Sequence, residues 1–219
     1  MPKTSTKPDS TEPAPGRAPR PPALRRLQPA FGGGPPPPTR EPLVSNAVLG
    51  TLIFVICEAM LFAGLISAFL IVKGAALGDW PPAGQPRLPI EETALNTAAL
   101  LLSGVLIVFA QRAASAGRSP ARLLLAGIAL GAFFVGFQGF EWLALIREGL
   151  TLTSSNHGSF FYLIVGTHAA HAVAALVALL ACFVLLQQGR LRPSTLHASQ
   201  TFWYFVVGLW PILYVLVYL

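Results

Sequence analysis

Five long apolar runs dominate this sequence and leave few folds open to it. They lie at about residues 46–73, 93–112, 120–146, 158–187 and 197–219. A helix needs about 20 apolar residues to cross the ~30 Å hydrocarbon core of a bilayer. Runs this long and continuous suit helices better than the short, alternating strands of a membrane barrel. The sequence therefore predicts an all-α fold, an integral membrane bundle of five transmembrane helices.

Charge supports the membrane and argues against nucleic acid as a partner. Only 11% of the residues are charged, whereas a soluble domain carries about 25%. The net charge is +6, but seven of the fifteen basic residues lie in the first 42 positions and the others flank the apolar runs. That placement orients a membrane protein and does not build a nucleic-acid surface.

The segment 1–42 differs from the rest of the chain. It holds 13 of the 20 prolines, and almost nothing in it can be buried to offset the entropy of ordering. We expect a disordered, basic, Pro-rich tail on the cytoplasmic side. With that orientation twelve basic residues lie inside and three outside, so the positive-inside rule places the C-terminus on the opposite face.

Glu58 is the one charged residue between Val48 and Val72 and lies near the middle of the first run. An ionised carboxylate is most costly at that depth, so intramembrane acids are often functional. Two interpretations stay open. In the functional interpretation, Glu58 accepts a proton or forms a site for lipid or water in a helix crevice. In the structural interpretation, it is a neutral acid that is hydrogen-bonded to a neighbouring helix and contributes packing specificity.

Two other polar pairs lie inside apolar runs. Gln138 and Glu141 are three residues apart and project from one helical face, where we expect structural hydrogen bonds. His168 and His171 are also one turn apart, and we expect them to share a face. Two histidines supply at most two metal ligands, so we expect no metal site and favour interhelical hydrogen bonds by neutral histidines.

Small residues in the runs predict packing. Gly127 and Gly131 are four residues apart, a spacing that lets membrane helices approach closely. Cys57 and Cys182 fit small buried hydrophobes better than a disulfide or a metal site. No phosphate-binding loop and no nucleophile–base arrangement is present, so we assign no catalytic residue. A non-catalytic subunit of a membrane complex and a small proton-coupled transporter using Glu58 both remain possible.

Six short motifs follow one another along the chain in a characteristic order. They are residues 56–64 (ICEAMLFAG), 80–82 (WPP), 95–97 (LNT), Gln138 with 141–142 (EW), 158–161 with 166–171 (GSFF, GTHAAH) and 202–205 (FWYF). In this order and spacing the region from Asn46 to Leu219 resembles subunit III of haem-copper terminal oxidases, in its five-helix bacterial form.

The resemblance implies a place in the aerobic respiratory chain. Subunit III binds no haem or copper; those belong to partner subunits. It packs beside the catalytic subunit I, in a complex with subunit II and at times a respiratory supercomplex, and supports proton uptake. Phospholipids occupy a V-shaped cleft with the deep acid, here Glu58, nearby. The implied location is the bacterial inner membrane, with a cytoplasmic N-terminus and a periplasmic C-terminus.

Three positions depart from the family pattern, and one relative competes with this interpretation. Tyr204 and Val207 stand where the family often has a histidine and an acid, and Pro211 follows the last tryptophan. The polar contacts that the last helix makes in relatives are therefore in question. An accessory protein of nitric oxide reductase shares much of the pattern and is the alternative.

Overall fold

In the computed structural model, five long helices account for nearly all of the described chain, residues 45–76, 80–82, 85–86 and 88–219. They are α1 (Asn46–Gly74), α2 (Ile90–Ser115), α3 (Ala121–Arg147), α4 (Asn156–Gln187) and α5 (Pro193–Leu213). A π-helical turn, Tyr214–Tyr218, follows α5. All five helices are long and apolar enough to cross a membrane, which confirms the predicted all-α fold. The predicted tail, residues 1–42, lies outside the described residues.

Local sequence explains where the helices begin. Ser45 caps α1, since its hydroxyl accepts from the Val48 amide, and Ser155 caps α4 by accepting from the Gly158 amide. Helix α5 begins at Pro193, four residues before the apolar run, because proline at a first helical position needs no hydrogen-bond donor. Hydropathy does not indicate a helix start whose first turn is polar.

Helix α5 is the centre of the bundle. It packs against α1, α2 and α4, while α3 packs between α2 and α4. Its tryptophans, Trp203 and Trp210, are fully buried. Helix α1 lies at the margin, where only Phe62 and Phe69 are buried. Most of its apolar surface, including Cys57, is exposed. The expectation that Cys57 is buried is therefore wrong, because among the described helices only α4 and α5 pack against α1.

Two glycines of α3 mark its closest approaches, as their spacing predicted. A Cβ atom at Gly127 would lie 2.7 Å from Cδ1 of Ile107 on α2. A Cβ at Gly131 would lie 2.7 Å from the Trp203 ring and 2.8 Å from Cδ2 of Leu176. Helix α3 can approach α2, α4 and α5 this closely only because Gly127 and Gly131 have no side chain.

The three departures in the last helix have local explanations. Tyr204 donates its hydroxyl to Oε1 of Gln111 on α2, at 3.3 Å. Val207 fills the space beside Gly104, where a Cβ would lie 3.0 Å from Cγ1 of the valine. Pro211 lies inside α5 and cannot donate to the preceding turn. The helix widens into the π-helical turn three residues later, as helices do where their ladder is interrupted.

Candidate functional site

The deep acid on α1 meets a histidine on α4. Oε2 of Glu58 lies 2.8 Å from Nε2 of His171, and the two side chains are 17% and 16% exposed. Phe62, one turn along α1, packs edge-on against the imidazole with ring centroids 5.5 Å apart. The pair is thus shielded on one side by an aromatic ring and partly open on the other.

The contact of the second ring nitrogen of His171 determines which atoms of the pair carry protons. Nδ1 lies 2.7 Å from the carbonyl oxygen of Thr167, and a carbonyl can only accept, so Nδ1 carries a hydrogen. One further proton then lies between Nε2 and Oε2 of Glu58. It makes either a neutral acid with a neutral imidazole or a carboxylate with an imidazolium. Either way, Glu58 and His171 share a single proton inside the bundle.

His168 does not take part in this pair, and the expected hydrogen bond is not found. Its side chain is 1% exposed and stacks on Trp210, with ring centroids 5.0 Å apart and planes inclined by 31°. Neither ring nitrogen has a partner among the described residues. Three residues turn a helix by about 300°, so the side chains of His168 and His171 leave α4 in directions about 60° apart. His168 therefore points toward α5 while His171 points toward α1.

A second polar cluster lies near the end of α3 that leads into the α3–α4 loop. Thr93 donates its hydroxyl to Glu141, at 3.1 Å from Oε2, and the Gln138 amide donates to the same oxygen at 3.0 Å. Gln138 also lies 3.0 Å from the hydroxyl of Tyr218, which accepts from the amide. All four residues are buried. The cluster ties α2, α3 and the π-helical turn together at one level of the bundle.

Further buried hydrogen bonds join α2 to its neighbours. Trp210 donates its indole N–H to the Thr97 hydroxyl at 2.8 Å. The Ser103 hydroxyl donates to the carbonyl of Gly127 at 2.7 Å, and the Asn96 amide donates to the carbonyl of Phe134 at 3.2 Å. Every bond of this set crosses between helices. It therefore fixes their rotation as well as their separation.

Several of these partners were not anticipated from the sequence. Tyr218 and Thr93 lie near the ends of apolar runs and carried no signal of their own. The pairing of Glu58 with His171 had a weak signal in the sequence, because an intramembrane acid needs a partner and α4 has two histidines near its middle. The two residues are 113 positions apart, and only the packed bundle shows which histidine faces the acid.

Comparisons with known proteins show which family the chain belongs to. The sequence model of the family described as cytochrome c oxidase subunit III matches residues 41–219. The chain belongs to the cytochrome c oxidase subunit III family. All five helices, the Glu58–His171 pair and the Gln138–Glu141 cluster lie inside the matched region.

Relatives in the subunit III family are found in bacteria and in animals. The chain is 31% identical over 182 residues to a probable cytochrome c oxidase subunit 3 of Nocardia farcinica, covering 78% of this chain and 86% of the relative. It is 30% identical over 177 residues to the cytochrome c oxidase subunit 3 of Corynebacterium diphtheriae, again covering 78% of this chain and 86% of the relative. It is also 31% identical over 190 residues to that of Mus musculus, covering 81% and 71%.

Membership in the subunit III family gives the chain a setting. It is a multi-pass membrane protein and a subunit of a respiratory oxidase complex, and it belongs to electron transport. The polar clusters described above are therefore parts of a subunit with neighbours, and the exposed apolar surface of α1 is expected to contact lipid or another subunit.

Proposed function

We propose that this chain is the non-catalytic subunit III of a proton-pumping haem-copper terminal oxidase in a bacterial inner membrane. It packs on subunit I, in a complex with subunit II, and haem and copper are held by those partners. The complex reduces dioxygen to water. Support comes from the family match over residues 41–219 and from an exposed apolar surface on α1 that its own bundle leaves uncovered.

The orientation belongs to the same proposal. The N-terminus lies in the cytoplasm and the C-terminus on the periplasmic side, because twelve of the fifteen basic residues then lie inside. The polar cluster around Glu141 and the loop between α3 and α4 then face the periplasmic half of the membrane. The loop between α2 and α3, which carries Arg118, faces the cytoplasm.

The Glu58–His171 pair carries the functional part of the proposal. Its shared proton lies near the middle of α1, and both side chains remain partly accessible. A group that can hold a proton at this depth supports proton uptake by the neighbouring catalytic subunit and prolongs its productive life. Phospholipid held in a helix cleft fills the contact between this chain and subunit I. The subunit thus acts by maintaining its partner.

A single conservative substitution tests this role. In Glu58→Gln the amide still donates to Nε2 of His171, so the helices stay joined, but the side chain can no longer give up or accept the shared proton. We expect normal assembly and haem content, with a shorter lifetime of the complex during turnover. The measurement is the decay of oxygen consumption by the purified complex.

The control is Glu148→Gln, which changes an exposed acid at the end of α3. It should leave the lifetime unchanged. Loss of haem from the Glu58→Gln complex would show that the acid is structural. A lifetime equal to that of the parent would show that the proton of this pair is not used.

A further inference from the structure

The imidazole of His171 contacts two phenylalanine rings that come from different helices. The Phe62 ring of α1 has its centroid 5.5 Å from that of the imidazole, with the planes inclined by 67°. The Phe202 ring of α5 lies 6.2 Å away and is inclined by 76°. Both are edge-to-face contacts at distances that aromatic pairs favour. The imidazole is therefore held by rings on α1 and α5 as well as by its two hydrogen bonds.

These ring contacts matter because a histidine side chain does not fix the plane of its own ring. The χ2 torsion of histidine is broad and is not confined to three staggered wells. A half-turn about χ2 would put carbon atoms where Nδ1 and Nε2 now stand. It would break the bonds to the Thr167 carbonyl and to Glu58. Packing around the imidazole therefore helps to set the plane that both hydrogen bonds need.

Phe62 is the better anchored of the two phenylalanine rings. It is 1% exposed, whereas Phe202 is only partly buried. Its centroid also lies 6.4 Å from that of His168 and 6.3 Å from that of Phe205. It follows Glu58 by four residues on α1, so the two side chains share one face of the helix. The same helix face thus presents both the acid and the ring to the imidazole.

We propose that Phe62 is a positioning residue, which orients the imidazole of His171 so that Nε2 faces Oε2 of Glu58. Phe62 has no polar side-chain atom and takes no proton itself. It acts by filling the space into which the imidazole would otherwise turn, and by keeping water from competing for Nε2. The inference rests on the proposed function, since the proton shared by this pair is the one that the subunit uses.

Phe69 provides a matched control on the same helix. Phe62 and Phe69 are the two buried residues of α1. Phe69 contacts the rings of Trp80 and Phe160, with centroids 5.8 and 5.9 Å away, and among the described residues it makes no ring contact with His171. Phe62→Leu and Phe69→Leu remove the same atoms from buried sites, so both should loosen the packing of α1. A change seen in Phe62→Leu alone then comes from what the Phe62 ring contacts.

The first test follows the shared proton by NMR. The full chain is labelled with 15N in its histidine rings and studied in detergent micelles. It has four histidines, and the signals that disappear in His171→Gln belong to His171. The hydrogen at Nε2 should exchange with water about two to ten times faster in Phe62→Leu, the factor that one aromatic pair contributes to a local opening equilibrium.

Phe69→Leu should leave this exchange at the wild-type rate. Equal rates in Phe62→Leu and the wild type would overturn the proposal. Equal acceleration in Phe62→Leu and Phe69→Leu would overturn it as well, because looser packing of α1 would then explain both.

A second variant covers the case in which Phe62→Leu does not fold. Phe62→Met keeps most of the buried volume in a flexible chain and lacks the flat ring. It should also speed the exchange, because a flexible side chain does not hold the plane of the imidazole. A wild-type exchange rate in Phe62→Met would show that volume alone suffices at this position, and would overturn the role assigned to the ring.

The intact oxidase separates this inference from the proposed function. The complex is purified through this chain, and its haem content and the decay of its oxygen consumption are measured. Phe62→Leu should shorten the lifetime during turnover at normal haem content, and Phe69→Leu should not. Faster proton exchange with an unchanged lifetime would support the positioning role and contradict the proposed function. Unchanged exchange would overturn the positioning role, whatever the lifetime.

Discussion

Oε2 of Glu58 and Nε2 of His171 are 2.8 Å apart, which joins the first helix of the bundle to the fourth through one shared proton. Helix α1 has few other anchors, since Phe62 and Phe69 are its only buried residues. The pair therefore has a structural consequence besides its proposed role in proton uptake. It is a specific polar contact that holds α1 against α4.

The first prediction concerns the energy of this contact. Glu58→Leu, His171→Leu and the double variant should show a coupling of about 0.6 kcal/mol and at most about 1.7 kcal/mol, the range found for hydrogen bonds between membrane helices. The free energy of unfolding of the chain in detergent micelles gives the coupling by a double-mutant cycle. Strictly additive effects would mean that the two side chains do not interact.

The second prediction concerns the close approach of α3. Gly131→Ala places a Cβ 2.7 Å from the buried Trp203 ring, which has no room to move, and should destabilise the bundle by about 1–3 kcal/mol through overpacking. Gly136→Ala adds the same methyl group where nothing lies within 4 Å. It should stabilise the helix by up to about 1 kcal/mol. Thermal unfolding in detergent compares them, and shifts of the same sign would contradict the packing described.

The third prediction concerns the cluster around Glu141. Glu141→Leu removes the acceptor for the Thr93 hydroxyl and the Gln138 amide, and leaves buried donors unpaired. The expected cost is about 1–3 kcal/mol. Glu148→Leu removes an exposed acid and should change stability by less than about 0.5 kcal/mol. Unfolding curves of the two variants that coincide would show that the cluster contributes nothing.

The fold could be predicted because a bilayer imposes a length. Each apolar run is long enough to cross, and each became one helix. The predicted starts of α2 and α5 lie a few residues after the observed ones. The reason is that the first turns of both helices contain polar residues or proline, which hydropathy does not assign to an apolar run. Gly127 and Gly131 were identified because small residues at this spacing have one common use, close approach.

The candidate site could be predicted in its parts and not in its pairing. Glu58, Gln138 and Glu141 stand out because polar groups in lipid are costly. Their partners depend on how each helix is rotated within the bundle, and helices that are apolar all round give no such signal. His168 and His171 show this most clearly, since one turn of α4 sends them to different neighbours.

The most direct test of the proposed function is a purification through this chain in mild detergent, followed by an optical spectrum and identification of the co-purifying proteins. We predict the bands of reduced haem, together with a larger subunit that carries haem and copper and reduces dioxygen. A partner that reduces nitric oxide would assign the chain to the other complex. A colourless chain without partners would contradict the account and favour a transporter that uses Glu58.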